Sequence, residues 1–129
     1  MNPDFSKYSL ALIKGDKIIY SSTASGLRPL VDCLAKNKQK NCTLHDKVIG
    51  LAAAKLAHDS GMIDLIVTNT ISRPAKEYLV GKIDLIYNEE VENILDKERK
   101  SVCPMEKNAM NMDEKEFLEL VDKTFNAIQ

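Results

Sequence analysis

Apolar residues come in short, separable runs, and the spacing within each run predicts an element. Leu10-Ala11-Leu12-Ile13 and Ile18-Ile19-Tyr20 flank Lys14-Gly15-Asp16-Lys17, which predicts a β-hairpin over residues 8–21 with a tight Gly-Asp turn. After a loop of small residues at 21–26, Leu27, Leu30, Val31 and Leu34 recur at helical spacing, with Pro29 tolerated in the first turn. The polar residues 37–41 read as an exposed connection. A second helix is predicted from Asp46 as its cap to Gly61 as its stop. Gly50, Ala52, Ala53, Ala54 and Ala57 make several of its sides thin and apolar, as in a buried helix. Residues 62–69 follow as a strand, apolar on both faces except at Asp64, which predicts cover on both sides.

The same sentence of residues is then repeated in shorter form. Residues 72–81 predict a helix with Ser72 or Thr70 as cap, Pro74 in the first turn and Gly81 as stop, leading into a strand at 82–87. Ile-Asp-Leu-Ile stands at 63–66 and again at 83–86, each time after a helix that ends in glycine. Two such strands joined by one helix predict a parallel β-α-β unit with a right-handed crossover. Val91, Ile94 and Leu95 suggest a short helix, and residues 97–101 a charged connection. Asp113 with Glu116 three residues on reads as a capping box for a last helix whose apolar face is Phe117, Leu118, Val121, Phe125 and Ile128. The order predicts an α/β chain, a three-layer α/β/α sandwich with a mixed sheet, as a single domain over residues 1–129.

Composition narrows the partners. The 129 residues are 44% hydrophobic and 29% charged with a formal net charge of −1, so neither nucleic acid nor a membrane surface is expected as a partner. Trp is absent and aromatics are few, which disfavours stacking on single strands. No apolar run spans a bilayer, and residues 1–7 lack the apolar centre of a signal peptide. Three widely spaced cysteines do not make a disulfide framework, and the expectation is reduced thiols in a cytoplasmic protein.

Chemistry is sought at the carboxyl ends of the parallel strands, where open α/β sheets bind ligands. Asn69, Tyr87 and Asn88 mark those ends, and the helix starts predicted at His45-Asp46-Lys47 and at Ser72 would aim free N–H groups there, favouring an anion. Cys103-Pro104-Met105-Glu106-Lys107 is the sharpest local signal, a helix start with Cys103 at the cap, Pro104 first and Glu106 third. A thiol so placed is expected to have its thiolate favoured by the helix dipole, with Lys107 adding to the effect and Cys103 serving as a nucleophile. Cys42-x-x-His45 has a spacing that can bind a metal but needs further ligands, so neither metal nor cofactor is expected. Cys33 reads as core.

The hairpin, the stretch from His45 to Ala54 and Cys103-Pro104-Met105-Glu106-Lys107 together resemble the family called domain of unknown function 1893, over about residues 8–107. That resemblance implies a cytidine deaminase-like fold. Zinc-dependent deaminases carry His-x-Glu at the start of the first core helix and Pro-Cys-x-x-Cys at the start of the next. Laid on this chain, the motifs fall at His45-Asp46-Lys47 and at residues 74–78, with Lys47 in place of the proton-shuttling Glu and Ala75 and Tyr78 in place of the cysteines. The expectation is therefore a deaminase-like protein without zinc-dependent deamination. It would bind a small anionic or nucleotide-like ligand through His45, Asp46, Lys47, Asn69, Ser72 and Glu106. The alternative is a thiol-dependent enzyme or redox protein using Cys103 and Lys107. A homodimer is the expected assembly by analogy with the fold.

Overall fold

A computed structural model of the chain describes residues 1–95 and 103–126. In chain order the elements are β1 (Leu10–Lys14), β2 (Lys17–Ser22), α1 (Arg28–Lys36), β3 (Cys42–Ile49), α2 (Leu51–Ser60), β4 (Ile63–Ser72), α3 (Arg73–Leu79), β5 (Asp84–Val91), α4 (Pro104–Asn111) and α5 (Glu114–Asn126). The strands form one mixed sheet in the order β2-β1-β3-β4-β5. β1 runs antiparallel to both its neighbours, and β3, β4 and β5 are parallel. The chain is an α/β fold.

The core follows from the two-residue period of the strands. Tyr20, Leu12, Leu44, Ile66 and Leu85 lie side by side across all five strands, on one face of the sheet. They pack with Leu30 and Cys33 of α1, Ala54 and Ala57 of α2, Leu79 of α3, Ala109 of α4 and Phe117 of α5. Leu12, Leu44 and Ile66 are fully buried, each contributing about 1.5–3 kcal/mol by removal from water. The intervening positions Ala11, Ile13 and His45 are buried too, on the other face.

Much of the predicted order is present. The hairpin turns at Gly15 with φ +64°, α2 ends at Gly61 with φ +67°, and the β4-α3-β5 unit is parallel. The Ser72 hydroxyl accepts from Ala75 N–H at 3.3 Å as the cap of α3. Asp113 and Glu116 exchange their capping bonds, with Glu116 N–H donating to Asp113 Oδ1 at 2.8 Å.

The main correction concerns residues 42–49. They form β3 rather than the start of a helix, so His45, Asp46 and Lys47 are strand residues and Asp46 caps nothing. β3 lies between β1 and β4 and is held by main-chain bonds on both sides, a non-local gain that outweighs the local helix signal of Asp46 before an alanine run. The helix begins only after Gly50. Two smaller corrections follow from the same sheet. β4 continues past Asn69 to Ser72, and β5 continues past Tyr87 to take in Val91, so residues 91–95 are not a helix. Residues 97–101 and Ile128 lie outside the described residues. Among the described residues no helix is long and apolar enough to cross a membrane.

Candidate functional site

The last residues of β3, the start of α1 and the start of α4 enclose a cavity of about 620 Å³, a size suited to a small molecule. Asp46, Lys47, Cys103 and Glu106 all line it, joined by Arg28. A second cavity of about 500 Å³ at the far end of α1 and α2, lined in part by Lys38, Lys40 and Asp59, contains none of the residues singled out from the sequence.

Glu106 is the best-defined side chain of the site. It is 4% exposed, and its carboxylate accepts from Leu51 N–H at 2.7 Å and from Ala52 N–H at 2.8 Å. These are the first N–H groups of α2, which has no cap of its own because Gly50 carries no side chain. The absence of that side chain is itself required. A Cβ on Gly50 would stand 2.5 Å from the Glu106 carboxyl carbon. Gly50 has φ −102°, an ordinary conformation, so it is close approach and not backbone freedom that calls for glycine here. Burial raises the Glu106 pKa, and the two N–H bonds oppose the rise. Lys55 of α2 answers from the other side, donating to the Ala109 carbonyl of α4 at 2.7 Å.

Asp46 is the second acid of the cavity. Burial pushes its pKa up to about 8, against the pull of N–H bonds from Val48 and Lys47, so the carboxyl is largely neutral at pH 7. Lys47 and Arg28 are exposed, and the Arg28 guanidinium lies 5.1 Å from the centre of the Phe125 ring. Cys103 stands at the N-cap of α4, half-buried, and its thiol makes no capping bond. The start of α1 likewise has no side-chain cap at Leu27. Two cations and an uncapped helix start thus meet an apolar wall that includes Leu10, Met105 and Phe125.

The other predicted residues stand apart from the cavity lining. His45 is 1% exposed on the opposite face of β3, where its Nδ1 meets the Tyr8 hydroxyl at 2.8 Å. Its pKa is lowered first by burial and then by the chain's amino terminus, which favours the neutral ring beside the Tyr8 hydroxyl. Asn69 accepts from Asn88 at 3.0 Å across β4 and β5, and Ser72 is buried as the cap of α3. Lys107 is exposed on α4. Cys42 belongs to the helix-side core while His45 lies on the other face, so the strand turns the Cys-x-x-His pair apart. Among the described residues, no three of His, Cys, Asp or Glu are grouped to hold a metal.

Sequence reasoning missed Arg28, the half-buried setting of Asp46 and the partner of Glu106. One signal for the last was present. An apolar helix opening on Gly50, with no Ser, Thr, Asp or Asn at its true start, needs an acceptor from elsewhere in the chain.

A family model described as a domain of unknown function (DUF1893) matches residues 5–125. The crystal structure of a DUF1893 family protein from Thermotoga maritima is similar, with a TM-score of 0.83 and 31% sequence identity, over 93% of this chain and 82% of that one. No curated protein matches the chain.

Proposed function

Because the family match spans residues 5–125, the chain belongs to the DUF1893 family, and on that premise we propose that it binds a small anionic or nucleotide-like ligand in the cavity at Asp46, Lys47, Cys103 and Glu106. One observation carries the reading. Residues far apart in sequence converge on one cavity that also holds Arg28 and the uncapped start of α1. Lys47 and Arg28 suit an anionic group, and Leu10, Met105 and Phe125 suit an apolar or ring-shaped remainder.

The scaffold in this reading is a single cytidine deaminase-like domain; in place of the expected three layers, all five described helices pack on the Leu12-Leu44-Ile66 face, and the other face carries Ala11, Ile13 and His45. Its support is the mixed sheet with one helix between β2 and β3 and another between β3 and β4. The first core helix is then α1 and the next α2, which moves the comparison with zinc deaminases away from His45 and Pro74. Those starts read Gly26-Leu27-Arg28-Pro29 and Gly50-Leu51-Ala52-Ala53, with no His, Cys or Glu among them. The residue types that hold zinc and shuttle protons in those enzymes are therefore missing from both starts, and deamination is not part of the proposal.

The test is a thermal-shift screen with nucleotides, sugar phosphates and small carboxylates. A ligand is expected to raise the melting temperature of the wild type and of Cys103→Ser, and to lose that effect in Lys47→Ala and Arg28→Ala. No shift with any compound would count against the reading. A second reading rests on Cys103, whose thiol makes no capping bond and which lines the same cavity. It expects Cys103 to be alkylated below pH 7 faster than a free thiol. Cys33 and Cys42 are poor references, since both are fully buried and burial pushes the Cys33 pKa up to about 12. A Cys103 rate no faster than the free thiol's would remove this alternative.

A further inference from the structure

The cavity between α1, α2 and α4 already contains an anion of its own. The Glu106 carboxylate, 4% exposed, accepts from Leu51 and Ala52 N–H at 2.7 and 2.8 Å, and so fills the helix start where a phosphate would otherwise sit. Gly50 leaves no room for a side chain beside that carboxyl. The start of α1 offers little more. Pro29 has no N–H, and Leu30 and Val31 N–H turn back to the Leu27 carbonyl at 3.1 and 3.2 Å. Neither helix start presents a full set of main-chain donors to a phosphate. Charge points the same way. Among the described residues the charged side chains of the lining are Arg28 and Lys47, Asp46 and Glu106. With both acids ionised the charges cancel; with Asp46 largely neutral at pH 7, as desolvation favours, one net positive charge remains. That balances a single negative charge and falls short of the about 1.5–2 on a phosphate monoester at pH 7. The rest of the lining is mostly apolar, with Leu10, Leu27, Val48, Met105 and Phe125 among it. The Arg28 guanidinium, 5.1 Å from the centre of the Phe125 ring, sets a planar, two-pronged donor beside that apolar wall.

Taking this cavity as the ligand site proposed above, we propose that its ligand is an apolar monocarboxylate, the carboxylate gripped by Arg28 with Lys47 beside it and the alkyl or aryl body against Leu10, Met105 and Phe125. Each half of such a molecule answers one half of the lining. An amide of the same shape brings no charge to the two cations, and acetate reaches the cations but leaves the apolar wall uncovered. A nucleotide brings more charge than the lining balances, and its phosphate finds the start of α2 taken by Glu106.

The experiment is a thermal-shift and calorimetric titration of the full chain with phenylpropanoate and octanoate, beside acetate, phenylpropanamide, adenosine monophosphate and pyrophosphate. At least one of the two larger carboxylates is expected to raise the melting temperature, and the other four compounds are not. Arg28→Lys keeps the charge but not the fork, and should bind that carboxylate about tenfold more weakly through loss of one charge-assisted bond. Arg28 is exposed, so this variant should keep the wild-type circular dichroism spectrum. Stabilisation by adenosine monophosphate or pyrophosphate equal to or above that of the carboxylates overturns the monocarboxylate and leaves the cavity standing as an anion site. A response to the amide or to acetate that matches the larger carboxylates overturns it too. So does carboxylate binding that Arg28→Lys leaves unchanged, which places the compound on another surface. Silence from all six compounds overturns the assignment and counts against the site itself.

Discussion

At the scale of the residue, Gly50 and Glu106 are one unit. Adding a methyl group at Gly50 forces the buried carboxylate away from two N–H donors, so Gly50→Ala is expected to cost about 1–3 kcal/mol despite the better helix propensity of alanine. Glu106→Gln keeps the shape but turns an amide NH₂ toward one of those donors, and a loss of similar size is expected. Urea denaturation reads both, and an unchanged midpoint in either variant would mean that the carboxylate is not holding α2. Asp46 gives a pH signature instead. Its folded pKa of about 8 lies above the ordinary carboxyl value, so the folded state binds more protons in between. Its contribution is full below about pH 4 and is lost as pH rises to about 8, by at most about 1.4 kcal/mol per pH unit. His45 works the other way. Its folded pKa is depressed, so its contribution is full above about pH 6.5 and is lost as pH falls through the lowered value. Between pH 6.5 and 8, where His45 no longer opposes, stability should fall in the wild type and stay nearly level in Asp46→Asn. A level wild-type profile would contradict the raised pKa of that acid.

At the scale of the element, α2 and α4 are tied twice, by Glu106 to the start of α2 and by Lys55 to a carbonyl of α4. Lys55→Met should cost about 1.5–3 kcal/mol through loss of a charge-assisted bond. Combined with Glu106→Gln it should cost less than the sum, because either change loosens the same helix pair; strict additivity in a double-mutant cycle would show two independent contacts. Ser72→Ala, which removes a local cap, should cost about 1 kcal/mol. Local elements of this kind were legible in the sequence. The Gly-Asp hairpin, the Ser72 and Gly61 boundaries, the Cys103-Pro104 helix start and the Asp113–Glu116 box each rest on residues within a turn of one another. β3 was not, because Leu44, Val48 and Ile49 become a strand only through pairing with β1 and β4.

At the scale of the whole molecule, the parallel β4-α3-β5 unit could be read from glycine stops and a repeated tetrapeptide, and the candidate cavity only in part. Asp46, Lys47, Cys103 and Glu106 were singled out, yet Asn69 and Ser72 were placed beside them on the assumption that strands end where polar residues begin. β4 runs on through Asn69 and Thr70 to Ser72, which spends Asn69 on a neighbouring strand and Ser72 on a helix cap. The link between Glu106 and the start of α2 spans 55 residues, and it bears on how the chain is made as well as how it stands. On the ribosome α2 emerges with two donors that no nearby residue satisfies, and it must wait until position 106 has been added. At translation rates of 5–20 residues per second that interval is roughly 3–11 s. Throughout it the most apolar helix of the protein is exposed without its anchor, and that is the period in which a nascent chain of this design would depend most on a chaperone.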